Sequence, residues 1–204
     1  MTQTAPSIVH VIDDDLAIRD ALVLLLEAQG RTARAFPDAA SFLADLDPSL
    51  PGCVVADVRM PGLSGLELQR HMKKSGIDLP VIIITGHGDV AMAVQALKEG
   101  AVDFIEKPFD EDVLARSIDD ALDRGERVFR ERQATADIRT RAAELTPRER
   151  EVMELVVQGR PNKAIAAALN ISVRTVEIHR GRVMEKMQAG SLSELVRMAL
   201  RLTA

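Results

Sequence analysis

Asp13 and Asp14, Asp57, Thr85 and Lys107 are of types that together suit one reaction, the transfer of a phosphoryl group. Three carboxylates brought close repel one another and cannot all stay ionised without a countercharge. A hard divalent cation supplies it, and an oxygen-rich site with room for water suits Mg2+. One carboxylate is then left to act as a nucleophile, because carboxylates form aspartyl-phosphates. A lysine neutralises phosphoryl oxygens, and a threonine hydroxyl donates a hydrogen bond to one of them. Taken singly, each residue has an ordinary explanation. Asp13-Asp14-Asp15 is a turn with a helix cap, Thr85 a β-branched strand residue and Lys107 a surface lysine. The chemistry requires that the fold gather them.

The elements that must do so alternate over residues 1–124. Short apolar runs at 8–12, 32–36, 53–57, 81–85 and 102–105 read as strands. Between them lie helical periods, such as LAIRDALVLLLEAQG with Ile18, Leu22, Leu25 and Leu26 on one face and Asp15 as N-cap. Gly30, Gly76 and Gly100 stand where helices should stop. Five such repeats predict a five-stranded, doubly wound parallel sheet of flavodoxin-like order, with helices on both faces. In open sheets of this kind, ligands bind beyond the carboxyl ends of the strands. Asp13 and Asp14 follow the first strand, Asp57 ends the third, Thr85 ends the fourth and Lys107 follows the fifth. All five therefore converge on one edge.

The 204 residues carry a net charge of −5, unevenly spread. Residues 1–124 hold −10, residues 125–143 hold +2 and residues 144–204 hold +3. An acidic front and a basic tail suggest two domains, the second suited to a polyanion. The single cysteine, Cys53, lies in an apolar run, so no disulfide framework is expected. The N-terminus has neither the basic start nor the apolar core of a secretory signal, and no run is long enough to span a bilayer. A cytoplasmic protein with no membrane association is expected.

Residues 125–143 are charged and free of proline, and read as a helical or flexible linker. In the tail, LTPREREVMELVVQG (145–159) predicts a helix with Thr146 as N-cap, Pro147 at the first position and Glu149 at the third, a capping box. RPNKAIAAALN predicts a short second helix. Ser172 starts a third over 173–188, with Val176, Val183 and Met187 facing inward. A closing helix from 191 offers Leu192, Leu195, Val196, Ala199 and Leu200 for packing. Two short helices at a tight turn, the second basic, suit an all-α helix-turn-helix domain over 144–204 with its recognition helix in a major groove. An ordinary helical bundle with a solvated basic face is the alternative. With no Trp or Tyr and only 5 Phe, the chain lacks stacking surfaces for single strands, which favours duplex DNA.

VIDDD, VVADVRMPG, ITGHGD and FIEKPF, in this order, resemble the receiver domain of two-component response regulators over residues 7–124. The tail from LTPRERE to MEKM resembles the LuxR-type DNA-binding domain, and with VMEKMQAGSLSELVRMAL the whole is similar to the FixJ subgroup. The resemblance implies that Asp57 accepts a phosphoryl group from the phosphohistidine of a sensor histidine kinase. It implies that Asp13, Asp14, Asp57 and the backbone carbonyl of Arg59 hold Mg2+, that Phe104 is the aromatic switch residue, and that a cis peptide precedes Pro108. Phenylalanine at 104, where many receivers carry tyrosine, argues against hydroxyl-based switching. By the same resemblance Glu177, Ile178 and Gly181 face bases, Asn162, Lys163, Arg174, Arg180 and Lys186 meet phosphates, and Thr175, His179 and Arg182 belong to the interface. Because Gly181 has no side chain, Arg180 or Arg182 is expected to read guanine. A homodimer on phosphorylation, promoter DNA and RNA polymerase are the implied partners.

Two other functions share parts of this pattern. Aspartyl-phosphate phosphatases also combine Mg2+ with a nucleophilic Asp, but they place a general acid two residues later. Here that residue is Arg59, which cannot serve as an acid near neutral pH. No turnover of an external substrate is therefore expected. A small-molecule-sensing LuxR-type regulator would need an apolar ligand domain in place of the receiver motifs.

Overall fold

The computed structural model describes residues 6–203. Its contacts divide the chain into two units that meet between residues 130 and 131. The first unit alternates β1 (Ile8–Ile12), α1 (Leu16–Ala28), β2 (Thr32–Phe36), α2 (Ala39–Asp45), β3 (Gly52–Asp57), α3 (Gly65–Lys74), β4 (Val81–Thr85), α4 (Val90–Glu99) and β5 (Asp103–Glu106). It ends in the first part of α5 (Glu111–Ala143). The strands form one parallel sheet in the order β2-β1-β3-β4-β5, as expected for the doubly wound fold. The third strand begins one residue earlier than the apolar run suggests, and the fifth is displaced by one, to 103–106.

Period-two alternation explains the two cores. Val54, Ala56 and Ile83 pack on one face with Phe42, Leu68 and Met72. Cys53, Val55, Ile82 and Ile84 pack on the other with Leu22, Leu26, Leu114 and Ile118. The burial expected of Cys53 holds, and burial pushes its thiol up to about 12. The helix signals also hold: Asp15 accepts hydrogen bonds from the N–H groups of Ala17 and Ile18, and Gly100 caps α4 in the left-handed conformation at φ 105°.

Sheet order decides where a site can be. The chain builds outward in opposite directions from β1, first to β2 and then to β3, so a crevice opens between the carboxyl ends of β1 and β3. Asp13 and Asp57 stand at those two ends.

The second unit holds the end of α5, then α6 (Pro147–Val157), α7 (Asn162–Leu169), α8 (Val173–Met187) and α9 (Leu192–Thr203). Residues 125–143 are helical throughout, as part of α5, and Ile138 and Ala142 are buried in this unit's core. The helix thus runs unbroken past residue 124 and ends at Ala143, and the units divide inside it. Val152, Val156, Ile165, Val176, Val183, Met187 and Leu195 complete the core. Leu192 and Leu200, expected to pack, are 45 % and 60 % exposed; Met198 and Leu202 pack instead. Leu200, five positions after Leu195, falls off the stripe centred on that residue, and Leu192 is the first residue of α9. Among the described residues no helix is long and apolar enough to cross a membrane.

Candidate phosphoacceptor site and nucleic-acid interface

At the carboxyl edge of the sheet, the ammonium of Lys107 donates to Asp13 Oδ2 at 2.6 Å and to Asp57 Oδ1 at 2.7 Å. Both carboxylates are buried, and the lysine is mostly so. Burial works against the ammonium, but its hydrogen bonds and attraction to the two aspartates outweigh this and raise the Lys107 pKa. The expected countercharge is therefore already present in part as a lysine. The Lys107–Pro108 peptide is cis. Thr85 is buried at the tip of β4, and its backbone carbonyl accepts from the Lys107 N–H at 2.8 Å. The Arg59 N–H donates to Asp57 Oδ2 at 2.5 Å, which ties the loop after β3 to the carboxylate; the Arg59 side chain is exposed.

Asp14 is exposed and lines a neighbouring cleft of about 730 Å³ with Pro37, Asp38, Pro61 and Gly62. Among the described residues, no three acidic, histidine or cysteine side chains stand close enough together to hold a metal ion. The donors present are hard oxygens, which is the kind Mg2+ takes, and two of them already share one cation. In kind the residues fit; Asp14 stands apart from the pair.

Phe104 is half-buried beside Thr85 and lies against the loop after β4. A Cβ added to Gly88 would come within 2.9 Å of the Phe104 ring and 3.1 Å of the Thr85 methyl. Gly88 therefore lets the loop close over the ring.

In the second unit, Asn170 turns the chain in the left-handed region (φ 52°) and Ser172 caps α8, so α7 and α8 meet at the tight turn expected. Arg174, Glu177, Ile178, Gly181, Arg182 and Glu185 are exposed at intervals of one and three, which places them on one stripe of α8 opposite Val176, Val183 and Met187. Lys163 is exposed on α7, and Thr175 and His179 are half-buried. Arg180 donates to Asn162 Oδ1 at 2.5 Å and joins α8 to the start of α7. Lys186 donates to Glu149 Oε2 at 2.7 Å and to the Glu144 carbonyl at 3.1 Å. The Lys186 ammonium, with the Thr146 N–H that donates to the same carboxylate, holds the buried Glu149 carboxyl down at about 2.

The pattern of the response regulator receiver domain matches residues 9–119, and that of the bacterial regulatory proteins of the luxR family matches residues 143–199. The transcriptional regulatory protein FixJ of Bradyrhizobium diazoefficiens is 51 % identical over 193 residues, covering 95 % of this chain and 94 % of that protein. The chain belongs to the FixJ-like response regulators. Among solved structures, the response regulator StyR matches with a TM-score of 0.84 and 37 % identity over 97 % of this chain and all of that one. Full-length FixJ from B. japonicum matches at 0.56 and 49 %, covering 98 % of each chain. The protein is accordingly a phosphorylation-controlled, DNA-binding transcriptional regulator, with a receiver followed by a LuxR-type domain.

For a response regulator, Asp13, Asp57, Thr85 and Lys107 are brought together on one edge and Phe104 beside them, while Asp14 is left at the cleft mouth. Of the tail residues, Arg174, Glu177, Ile178 and Arg182 share the exposed stripe, whereas Arg180 and Lys186 are engaged within the domain. Sequence reasoning missed Gly88 and the Glu149–Lys186 pair. The Gly-His-Gly spacing after Thr85 and the capping-box Glu149 were the available signals, but what each touches is set by residues far away in sequence.

Proposed function

We propose that Asp57 is the phosphoacceptor, that a sensor histidine kinase supplies the phosphoryl group and that phosphorylation drives dimerisation and promoter binding in the cytoplasm. The observation that carries this is the Lys107 ammonium seated between Asp13 and Asp57 at the crevice between β1 and β3. An Asp57 carboxylate oxygen bonds to phosphorus as the P–N bond to the kinase imidazole breaks. Lys107 then turns from the carboxylate to a phosphoryl oxygen, and the Arg59 N–H keeps the other Asp57 oxygen oriented. The Thr85 hydroxyl moves toward the new dianion, and Phe104 fills the space it leaves. Asp13, Asp14, Asp57 and the Arg59 carbonyl are the groups that would hold Mg2+, whose charge neutralises the transferring oxygens. Nothing in the set serves as a general acid for an external ester, so no turnover of one is expected.

The apolar side chains Val90, Val94 and Leu97 are exposed on α4, the first at 81 %, as is Val113 on α5. Joining two copies through this face presents two α8 helices to a palindrome, with half-sites about 10 bp apart or at a multiple of that. Linking two weak modules raises apparent affinity without a new base contact. Asn162, Lys163, Arg174, Thr175, Glu177, Ile178, His179, Arg180 and Arg182 form the duplex interface in this reading, and RNA polymerase is the partner at the promoter. The Lys186 ammonium holds α8 to α6. The receiver ends at residue 124 and the DNA-binding domain begins at 144, with the intervening helix as linker.

Selection of duplexes from a random pool, with and without acetyl phosphate and Mg2+, tests this. Wild type should select a palindrome more strongly when phosphorylated, and Asp57→Asn should fold normally, incorporate no phosphate and show no gain. Stable phosphate on another residue of that variant would overturn the assignment.

A further inference from the structure

Arg19 stands where α1 gains nothing from it. The N-terminal end of a helix carries partial positive charge, which favours acids there and disfavours a cation. The first turn of α1 nevertheless ends in Arg19 and holds no acid. Aspartates lie close by in the chain, at 13, 14, 15 and 20, yet among the described residues the half-buried guanidinium pairs with none of their carboxylates. It donates instead to the backbone carbonyl of Asp13 at 2.5 Å. A charge set against its helix dipole and given to a neutral carbonyl points to a task in the turn that it holds.

Each polar atom of Asp13 has a different anchor. Its N–H donates to the Phe36 carbonyl at 3.2 Å, its Oδ1 accepts from the Asp15 N–H at 3.0 Å, and its Oδ2 accepts from Lys107. These fix the strand side of the residue and its side chain. The carbonyl is held by Arg19. A peptide unit is planar, so fixing that oxygen fixes the plane in which the nitrogen and Cα of Asp14 lie. Asp14 itself is exposed, and among the described residues its carboxylate has no partner. Exposed side chains change rotamer within nanoseconds, so a carboxylate on a fixed Cα reaches a ligand without moving the chain. We infer that Arg19 is a positioning residue for the cation: by holding the Asp13 carbonyl it presents Asp14, unpaired, at the mouth of the cleft, free to join Asp13 and Asp57 in holding Mg2+. A guanidinium paired with Asp14 would instead occupy that carboxylate. This rests on the reading of Asp13, Asp14 and Asp57 as the side chains that hold the cation.

The test titrates the unphosphorylated full chain with Mg2+ and follows the amides of Asp57 and Thr85 by NMR, so that binding is read without phosphoryl transfer. The β3 and β4 amides in the same spectra establish that each variant is folded. Losing a positive charge would by itself tighten the binding of a dication, so weaker binding in Arg19→Met isolates the positioning effect. Groups that orient a metal ligand are typically worth about 10- to 100-fold in affinity, and Arg19→Met should lose roughly tenfold or more. Arg19→Lys, which keeps a charged donor, should recover most of that loss. Asp14→Asn should weaken binding too, and the two losses should not multiply. Once Asp14 is no longer a ligand its placement is immaterial, so in that background Arg19→Met should cost less than about twofold. Arg19→Met binding as tightly as wild type, a lysine variant as weak as the methionine one, or losses that multiply in the double variant would overturn the positioning role and leave the Mg2+ reading intact. A wild type that binds no Mg2+ would overturn that reading and the positioning role with it.

Discussion

Acidification should weaken the first unit through one residue that takes no part in its chemistry. His10 lies in the middle of β1, 5 % exposed, and its Nδ1 has no hydrogen-bond partner. The ring packs edge-on to Phe42 at 5.3 Å and stands 6.0 Å from Phe36. Burial, aided by the positive charge of Arg34 and opposed by Asp45, pulls its pKa from 6.5 to about 4. The unfolded chain takes up a proton on His10 near pH 6.5, whereas the folded chain resists until about 4. The folded state is thus fully favoured above 6.5 and loses ground as pH falls from 6.5 toward 4. At about 1.4 kcal/mol per pKa unit, the loss approaches about 3 kcal/mol, a large part of the ~5–15 kcal/mol that holds a domain together. Urea unfolding at pH values from 7 to 4, followed by NMR on the β1 and β3 amides, measures it for this unit alone. Carboxylates titrate over the same range, so the informative quantity is the difference between wild type and His10→Leu. Wild type should lose about 2–3 kcal/mol more than the variant between pH 6.5 and 4. Parallel curves, or a His10 ring that titrates near 6.5 in the folded protein, would refute the reasoning.

Other expectations follow from single contacts. Glu149→Gln removes the charge that pairs with Lys186 and should cost the second unit about 1.5–3 kcal/mol by chemical denaturation. In wild type that contribution persists down to pH 4.5 and disappears between 4.5 and about 2, because the folded pKa is depressed. Gly125→Ala should destabilise the first unit by about 1–3 kcal/mol despite alanine's helix preference, since its Cβ meets the Gly52 carbonyl, and urea unfolding checks this. Lys107→Ala leaves Asp13 and Asp57 buried without their ammonium, and in that variant acetyl phosphate should no longer raise DNA affinity. Val94→Asp should keep the phosphorylated protein monomeric in sedimentation; a phosphorylated wild type that is itself monomeric yet binds its operator more tightly would instead point to release of an inhibitory contact.

The elements of both units were legible in the sequence because their signals are local. Asp15, Ser172 and the Thr146–Glu149 box cap their own helices, Gly100 ends one, and alternation along β3 assigns each residue to a core face. The gathering of Asp13, Asp57, Thr85 and Lys107 was legible too, since a parallel sheet sends every strand's end to the same edge and the residues after the strands can be read in order. Only tertiary structure decided that Lys107 bridges Asp13 and Asp57 while Asp14 stands aside, because adjacent residues at a strand's end point in different directions. It also separated the basic residues of α8, engaging Arg180 and Lys186 within the domain and leaving Arg174 and Arg182 exposed. Composition cannot make that distinction, since the partners Asn162 and Glu149 lie 18 and 37 residues away along the chain. Glycine shows the same limit most plainly. Gly125 and Gly181 look alike in sequence, and what surrounds each Cβ position depends on elements that only folding brings there.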